Sequence, residues 1–139
     1  MFKITVNEIT SLIEMISDSE GTHISAEQEL HGVWLHSADW STELRLSIYC
    51  ERFIMVSRVV FSRQRVGTMT KVFEWMQRYA KANKLDGCII QAVSTPEMLA
   101  WCLKNGFSPN LSTCYESNGR QYGDYYFYLN SLEVSHLKL

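Results

Sequence analysis

The sequence has few prolines, two in 139 residues, and no low-complexity tract, so neither a polyproline spacer nor a disordered linker is expected. No uninterrupted apolar run approaches the roughly 20 residues that a membrane helix needs. The start, Met1-Phe2-Lys3-Ile4-Thr5, lacks the apolar core of a signal peptide, so the expectation is a cytoplasmic chain with no membrane partner. The four cysteines, Cys50, Cys88, Cys102 and Cys114, contain no Cys-x-x-Cys. The histidines His23, His31, His36 and His136 contain no i, i+4 pair. No metal is expected, and the thiols read as free and mostly buried. The net charge is only −2, which gives no reason to expect a nucleic-acid partner.

What is present is a globular composition, 46% hydrophobic and 20% charged, in a length that suits one domain over residues 1–139. The small net charge hides an asymmetry. Residues 1–43 carry eight acids and one base, Lys3, whereas residues 44–139 carry twelve bases and seven acids.

Phe2 to Val6 alternates and is β-prone, which predicts a short first strand. Thr5 and Glu8 have capping-box spacing, and Ile9, Leu12, Ile13 and Ile16 then mark one helical face. Ser25 and Gln28 repeat the capping spacing and predict a second, short helix toward Leu30 or His31. Three strands follow, over Gly32–His36, Leu44–Cys50 and Phe53–Phe61. Met69, Val72, Phe73, Met76 and Ala80 mark a helix from about Gly67 to Ala82. Leu85 to Val93 reads as a buried strand. Thr95 caps a helix with Pro96 at its first position, and Gly106 ends it. Asn118-Gly119 is a hairpin turn signal joining Leu111–Ser117 to Arg120–Asn130. The order is β-α-α-β-β-β-α-β-α-β-β, an α/β fold on a mixed sheet. Its unit over residues 53–93 is a right-handed parallel crossover.

The segment Ser62-Arg63-Gln64-Arg65-Val66-Gly67-Thr68-Met69-Thr70 joins a strand to a helix. Glycine lets the backbone turn tightly there, and the free N–H groups of the helix start favour an anion. Between Arg58 and Lys71 stand four bases and no acid. A phosphate suits this spot.

Gln64-Arg65-Val66-Gly67-Thr68-Met69 resembles the pyrophosphate loop, Gln/Arg-x-x-Gly-x-Gly/Ala, of the GNAT (Gcn5-related N-acetyltransferase) superfamily, departing from it at Met69. Thr95 to Gly106-Phe107 is similar in frame to that family's last helix. The resemblance covers residues 53–107 by motif and the whole chain by element order. It implies that strands Phe53–Phe61 and Leu85–Val93 splay apart around acetyl-CoA as co-substrate. Val59, Val60 and Phe61 would bond its arm, and Gln64, Arg65, Val66, Gly67, Thr68, Met69 and Thr70 its pyrophosphate. A backbone N–H near Val59 or Val60 would hold the oxyanion.

The family's proton-donating tyrosine aligns with Cys102, which reads either as general acid or as a core thiol. Thr95 reads as a helix cap or a ligand contact, and Glu51 is the candidate base. The acidic residues Glu8, Glu14, Asp18, Glu20, Glu27 and Glu29 read as solvated helix faces or as a field drawing in a cationic amine. The tyrosines of the last hairpin read as sheet packing, as the border of the acceptor site, or as a homodimer surface.

Three functions stay open. One is an acyl-CoA-dependent N-acyltransferase moving an acetyl group to a primary amine, on a small molecule or a peptide, by direct attack. The second is a non-catalytic GNAT-like binding or structural module, such as small phage proteins provide. The third is a plain α/β domain with no coenzyme site.

Overall fold

The computed structural model describes residues 3–63 and 66–129. Thr5 and Glu8 do pair: the Glu8 carboxylate accepts from the Thr5 N–H at 2.9 Å and from its hydroxyl at 2.8 Å. They open a 3-10 turn over Val6–Ile9 that runs into helix α1, Thr10–Glu20. The first strand predicted over Phe2–Val6 is therefore absent among the described residues. Two of the backbone groups in this stretch are taken by one side chain instead. Gln28 accepts from the Val6 N–H at 2.9 Å and donates to the Ile4 carbonyl at 3.1 Å.

Gln28 also overturns the second predicted helix. Residues Ser25–Gln28 are a strand, β1, paired antiparallel with β2, Gly32–His36. A helix of six or seven residues leaves most of its end groups unpaired and is marginal on its own, whereas the hairpin satisfies them through the ladder. Gly32 is required here, because a Cβ would stand 1.9 Å from the Leu46 carbonyl oxygen of the neighbouring strand.

The remaining elements are β3 (Glu43–Tyr49), β4 (Phe53–Val60), α2 (Thr68–Ala82), β5 (Gly87–Val93), α3 (Pro96–Lys104), β6 (Ser108–Pro109), β7 (Tyr115–Ser117) and β8 (Arg120–Tyr128). The predicted strand over Leu111–Ser117 is shorter than expected, since residues 111–113 form a turn, and β6 is an addition. The fold is a mixed α/β arrangement. The described residues form eight strands and three helices, with sheet order β1-β2-β3-β4-β5-β8-β6 and β7 paired to β8. Among the described residues only β4 and β5 pair in parallel. That pair is the crossover expected from the period change around α2.

One core holds the helices to the sheet. Leu12 and Ile16 of α1, Val72, Phe73 and Met76 of α2, and Leu99 and Cys102 of α3 share it with Leu44, Leu46, Ile54, Val56, Cys88 and Ile90. These strand residues alternate, so the three helices cover one face of the sheet. The other face carries Phe53 against Tyr126 and Tyr128, together with Ile89, which is buried outside that core. No described helix is long and apolar enough to cross a membrane.

Candidate functional site

The β4–β5 pair is closed at one end and open at the other. Pairing runs from Phe53↔Gly87 to Val56↔Ile90 and stops, while the strands continue to Val60 and Val93. Each strand carries an irregularity at that point. On β4, Arg58 pairs with Arg45 but Val56 with Leu46, so Ser57 is an extra residue against β3. On β5, Ile90 pairs with Tyr125 but Val93 with Gly123, so Gln91 and Ala92 together face Asp124. Bulges bend and twist the strands that carry them, and here they fall where the two strands part.

A cleft of about 660 Å³ opens beside the splayed end, lined by Val59, Val60, Phe61, Arg63, Gly67, Thr68, Met69, Thr70, Thr95, Glu97, Met98 and Trp101. It thus gathers eight of the residues singled out by sequence: Val59, Val60, Phe61, Gly67, Thr68, Met69, Thr70 and Thr95. Gln64 and Arg65 lie outside the described residues, and Val66 is exposed beside Gly67 without lining the cleft.

Gly67 is the N-cap of α2 with φ 79°, and nothing stands within 4 Å of where its Cβ would be. The first N–H groups of a helix have no partner within it, so those of Thr68, Met69 and Thr70 stand at the positive end of the helix dipole. Met69 is 8% exposed and belongs to the core, so its side chain turns inward. It stands where the resembled loop carries a small residue, and it also borders the cleft. Thr95 caps α3, its hydroxyl accepting from the Met98 N–H at 3.2 Å, and it also borders the cleft. The two readings of Thr95 are compatible.

Beneath the loop lies Glu20, 3% exposed. Its Oε1 accepts from the Arg63 N–H at 3.1 Å and the Ser62 hydroxyl at 3.2 Å, and its Oε2 from the Thr68 hydroxyl at 2.8 Å. Ser19 then donates its hydroxyl proton to Thr68 Oγ1 at 2.6 Å, because the Thr68 proton is committed to Glu20. An acid at the end of its own helix is disfavoured, but this one sits against the positive start of α2. By sequence Glu20 reads as one acid among several. Its sign was available: Glu20 continues the apolar face of Ile9, Leu12, Ile13 and Ile16.

Two candidates stay away from the cleft. Cys102 is fully buried, and burial pushes its thiol up to about 12; one position earlier, Trp101 turns to the cleft and donates from Nε1 to the Thr70 hydroxyl at 3.2 Å. Glu51 stands in the turn before β4, about 25 Å along the strand from Val59 by the rise per residue.

Several acids of residues 1–43 find partners inside the molecule. Glu43 is nearly buried and accepts from Arg58 Nε and from Trp34 Nε1, each at 2.6 Å. Glu29 pairs with Arg45 at 3.1 Å, and Glu27 meets His36 Nε2 at 3.1 Å. The Glu8 carboxylate accepts from the Tyr79 hydroxyl at 3.3 Å. Glu27 and Glu29 lie on and beside a strand, not a helix as predicted. Arg58 is drawn to Glu43 rather than to the loop. Two ion pairs, Glu43–Arg58 and Glu29–Arg45, thus join the acidic part of the chain to the basic part. Among the described residues no group of three or more His, Cys, Asp or Glu side chains could hold a metal ion.

No family model matches the sequence, and no curated protein matches it either. Solved structures do match the fold. An N-acetyltransferase assignment from Lactobacillus plantarum superposes with a TM-score of 0.52 at 13% identity, over 92% of this chain and 96% of that one. Ard1 from Thermoplasma volcanium gives 0.52 at 10% identity, over 86% and 78%. Nourseothricin acetyltransferase gives 0.51 at 10% identity over 70% of this chain, which spans only 64% of that protein's length. At these identities the likeness is one of fold.

Proposed function

We propose that the chain is an acyl-CoA-dependent N-acyltransferase that passes an acetyl group from acetyl-CoA to a primary amine, on a small molecule or a peptide. The observation that carries this reading is the loss of β4–β5 pairing after Val56↔Ile90, beside a cleft that reaches the exposed start of α2. An extended arm entering the gap meets the edge of Val59 and Val60 that no longer pairs with β5 on one wall. Its phosphates meet the N–H groups of Thr68–Thr70 and the αL turn at Gly67. The similarity of fold to nourseothricin acetyltransferase and to the Lactobacillus plantarum N-acetyltransferase structure supports the same reading.

In this reading the amine attacks the thioester directly, and an N–H of Val59 or Val60 meets the developing oxyanion. Cys102 and Glu51 are given no part. A thiol held near 12 and closed off from the cleft is a poor donor at neutral pH, so water supplies the proton that the leaving thiolate needs. A non-catalytic module would be expected to have a closed gap, and this gap is open. Self-association through the exposed Tyr115 and Tyr128 is part of the proposal and is read by light scattering.

The test is calorimetric titration with acetyl-CoA, followed by release of free coenzyme A thiol in the presence of amines. Micromolar binding and acceptor-dependent release are expected. No heat and no rise in Tm at millimolar acetyl-CoA would end the reading.

A further inference from the structure

The face of the sheet that the helices leave uncovered holds an acid beside the gap. Asp124 shares its side of β8 with Tyr126 and Tyr128, since Tyr125 and Phe127 turn to the helices. It stands opposite the Gln91–Ala92 bulge of β5, one residue beyond the pair Ile90↔Tyr125. That is the level at which β5 parts from β4. Its Oδ1 accepts from the Ala92 N–H at 2.8 Å. That bond holds Ala92 in a left-handed conformation, φ 55°, which a non-glycine residue rarely adopts. Asp124 as a residue is half-buried. Among the described residues no Arg, Lys or His forms an ion pair with it, although four other acids have such partners. Aromatic rings of Phe53, Tyr126 and Tyr128 pack on the same face, with Tyr128 and the nearby Tyr49 both more than 40% exposed. The Asp124 charge is close enough to Tyr49 to help raise that phenol's pKa, after the larger effects of Cys50 and Tyr126.

We infer that Asp124 anchors the acceptor, and that the acceptor is a primary amine with one positive charge on an apolar body. This rests on the acyltransferase reading. A single acid without a cationic partner among the described residues, on a face that also carries aromatic rings, suits an ammonium with an apolar tail; a polyamine would need several such acids. The acyl donor then occupies the gap from the helix side and the amine arrives from the uncovered face. The ammonium held by Asp124 releases one proton to water. The nitrogen lone pair bonds to the thioester carbonyl carbon, the C–S bond breaks with its electron pair on sulfur, and the second proton lost by nitrogen is matched by one gained by the thiolate. Asp124 is an anchoring residue and leaves the reaction unchanged.

The test separates charge from hydrogen bonding. Asp124→Asn keeps an oxygen acceptor for the Ala92 N–H and removes the charge, whereas Asp124→Ala removes both. 2-Phenylethylamine is titrated into each protein and followed by NMR chemical shift, with acetyl-CoA affinity and Tm measured in parallel. Asp124→Asn is expected to weaken phenylethylamine binding at least tenfold, with acetyl-CoA affinity within twofold of wild type and Tm within about 2 °C. Asp124→Ala is expected to lose the amine and to lower Tm as well. Equal amine affinity in wild type and Asp124→Asn overturns the inference. So does wild type failing to bind phenylethylamine, or binding spermine more tightly. A wild type that binds the amine but no acetyl-CoA overturns instead the acyltransferase reading on which it rests.

Discussion

The two halves of the β4–β5 pair are made from the same strands and behave oppositely. In the closed half, Ile54, Val56, Cys88 and Ile90 are buried against α2, and Phe53 and Ile89 are buried on the other face. Both faces are apolar, as a parallel pair requires. In the open half, Val60 is 42% exposed and Gln91 and Ala92 are exposed. The backbone there gives up its ladder at two bulges. Stability and binding are thus separated along one strand pair, and variants in each half should move one property without the other.

The largest effect is expected at Gly67 in the open half. Gly67→Glu meets no steric obstacle, so the fold survives with a modest loss from the positive φ. The added carboxylate stands where an anion is expected, and acetyl-CoA affinity should fall more than 100-fold by calorimetry. Gly67→Asn, which tolerates the same backbone conformation without charge, should stay within tenfold of wild type. Equal losses in both would mean that backbone shape, and not charge, governs this end.

Ile90→Ala breaks the closed half. Truncating a fully buried isoleucine costs about 2–5 kcal/mol, read by denaturant unfolding, with acetyl-CoA affinity per folded molecule unchanged. A large loss of affinity at full folding would show that the two halves are not independent.

Glu20→Gln tests the link between them. The three partners closer than 3.3 Å all donate to the carboxylate; the amide loses the charge, and its N–H₂ in the place of Oε2 makes Thr68 accept and turn its own proton to Ser19. Hydrogen bonds to a charged group are worth about 1.5–3 kcal/mol. A fall in stability of that order is expected, with a weakening of acetyl-CoA of about tenfold, because Arg63 and Thr68 lose their common anchor. Glu20→Asp, with the charge kept, should recover part of the affinity.

What the sequence made legible was local. The caps at Thr5 and Thr95, the periods of α1, α2 and α3, and the Asn118-Gly119 hairpin all depend on neighbours within a few residues, and all formed. The β1 strand was misread because Ser25 and Gln28 satisfy a capping pattern, while the Gln28 side chain bridges to Ile4 and Val6, more than twenty residues away. Glu20 is hidden from a local reading for the same reason, since its partners lie 22 to 48 residues along the chain. Cys102 missed the cleft by one position, a turn of about 100° on a helix, and motif spacing alone does not resolve a rotation of that size.

A smaller effect follows from buried thiols. Burial pushes both Cys88 and Cys102 up to about 12, against roughly 8.5 when unfolded. Between those values the unfolded chain has lost protons that the folded chain retains, so stability falls as pH rises above about 8.5 and is unaffected below it. The Cys88→Ala, Cys102→Ala double variant should show a shallower alkaline decline in Tm. Because Cys88 sits in the closed half and neither thiol lines the cleft, acetyl-CoA affinity at pH 7 should not change.

The smallest expected effect is at Glu97, an acid on the lip of a cleft proposed to take an anion. It lies in the first turn of α3, where a negative charge is worth about 0.3–1 kcal/mol to the helix. That stabilisation gives Glu97 a reason to be there which owes nothing to the ligand. Glu97→Gln should therefore lower stability by a few tenths of a kcal/mol, as expected for an exposed charge at a helix end. It should also tighten acetyl-CoA two- to threefold, a gain that shrinks as salt rises from 20 mM to 0.5 M because exposed charges are screened over about a Debye length. A loss of affinity would mean that the acid attracts the ligand, and the open half of the pair would then be a site for a cation, not for a coenzyme phosphate.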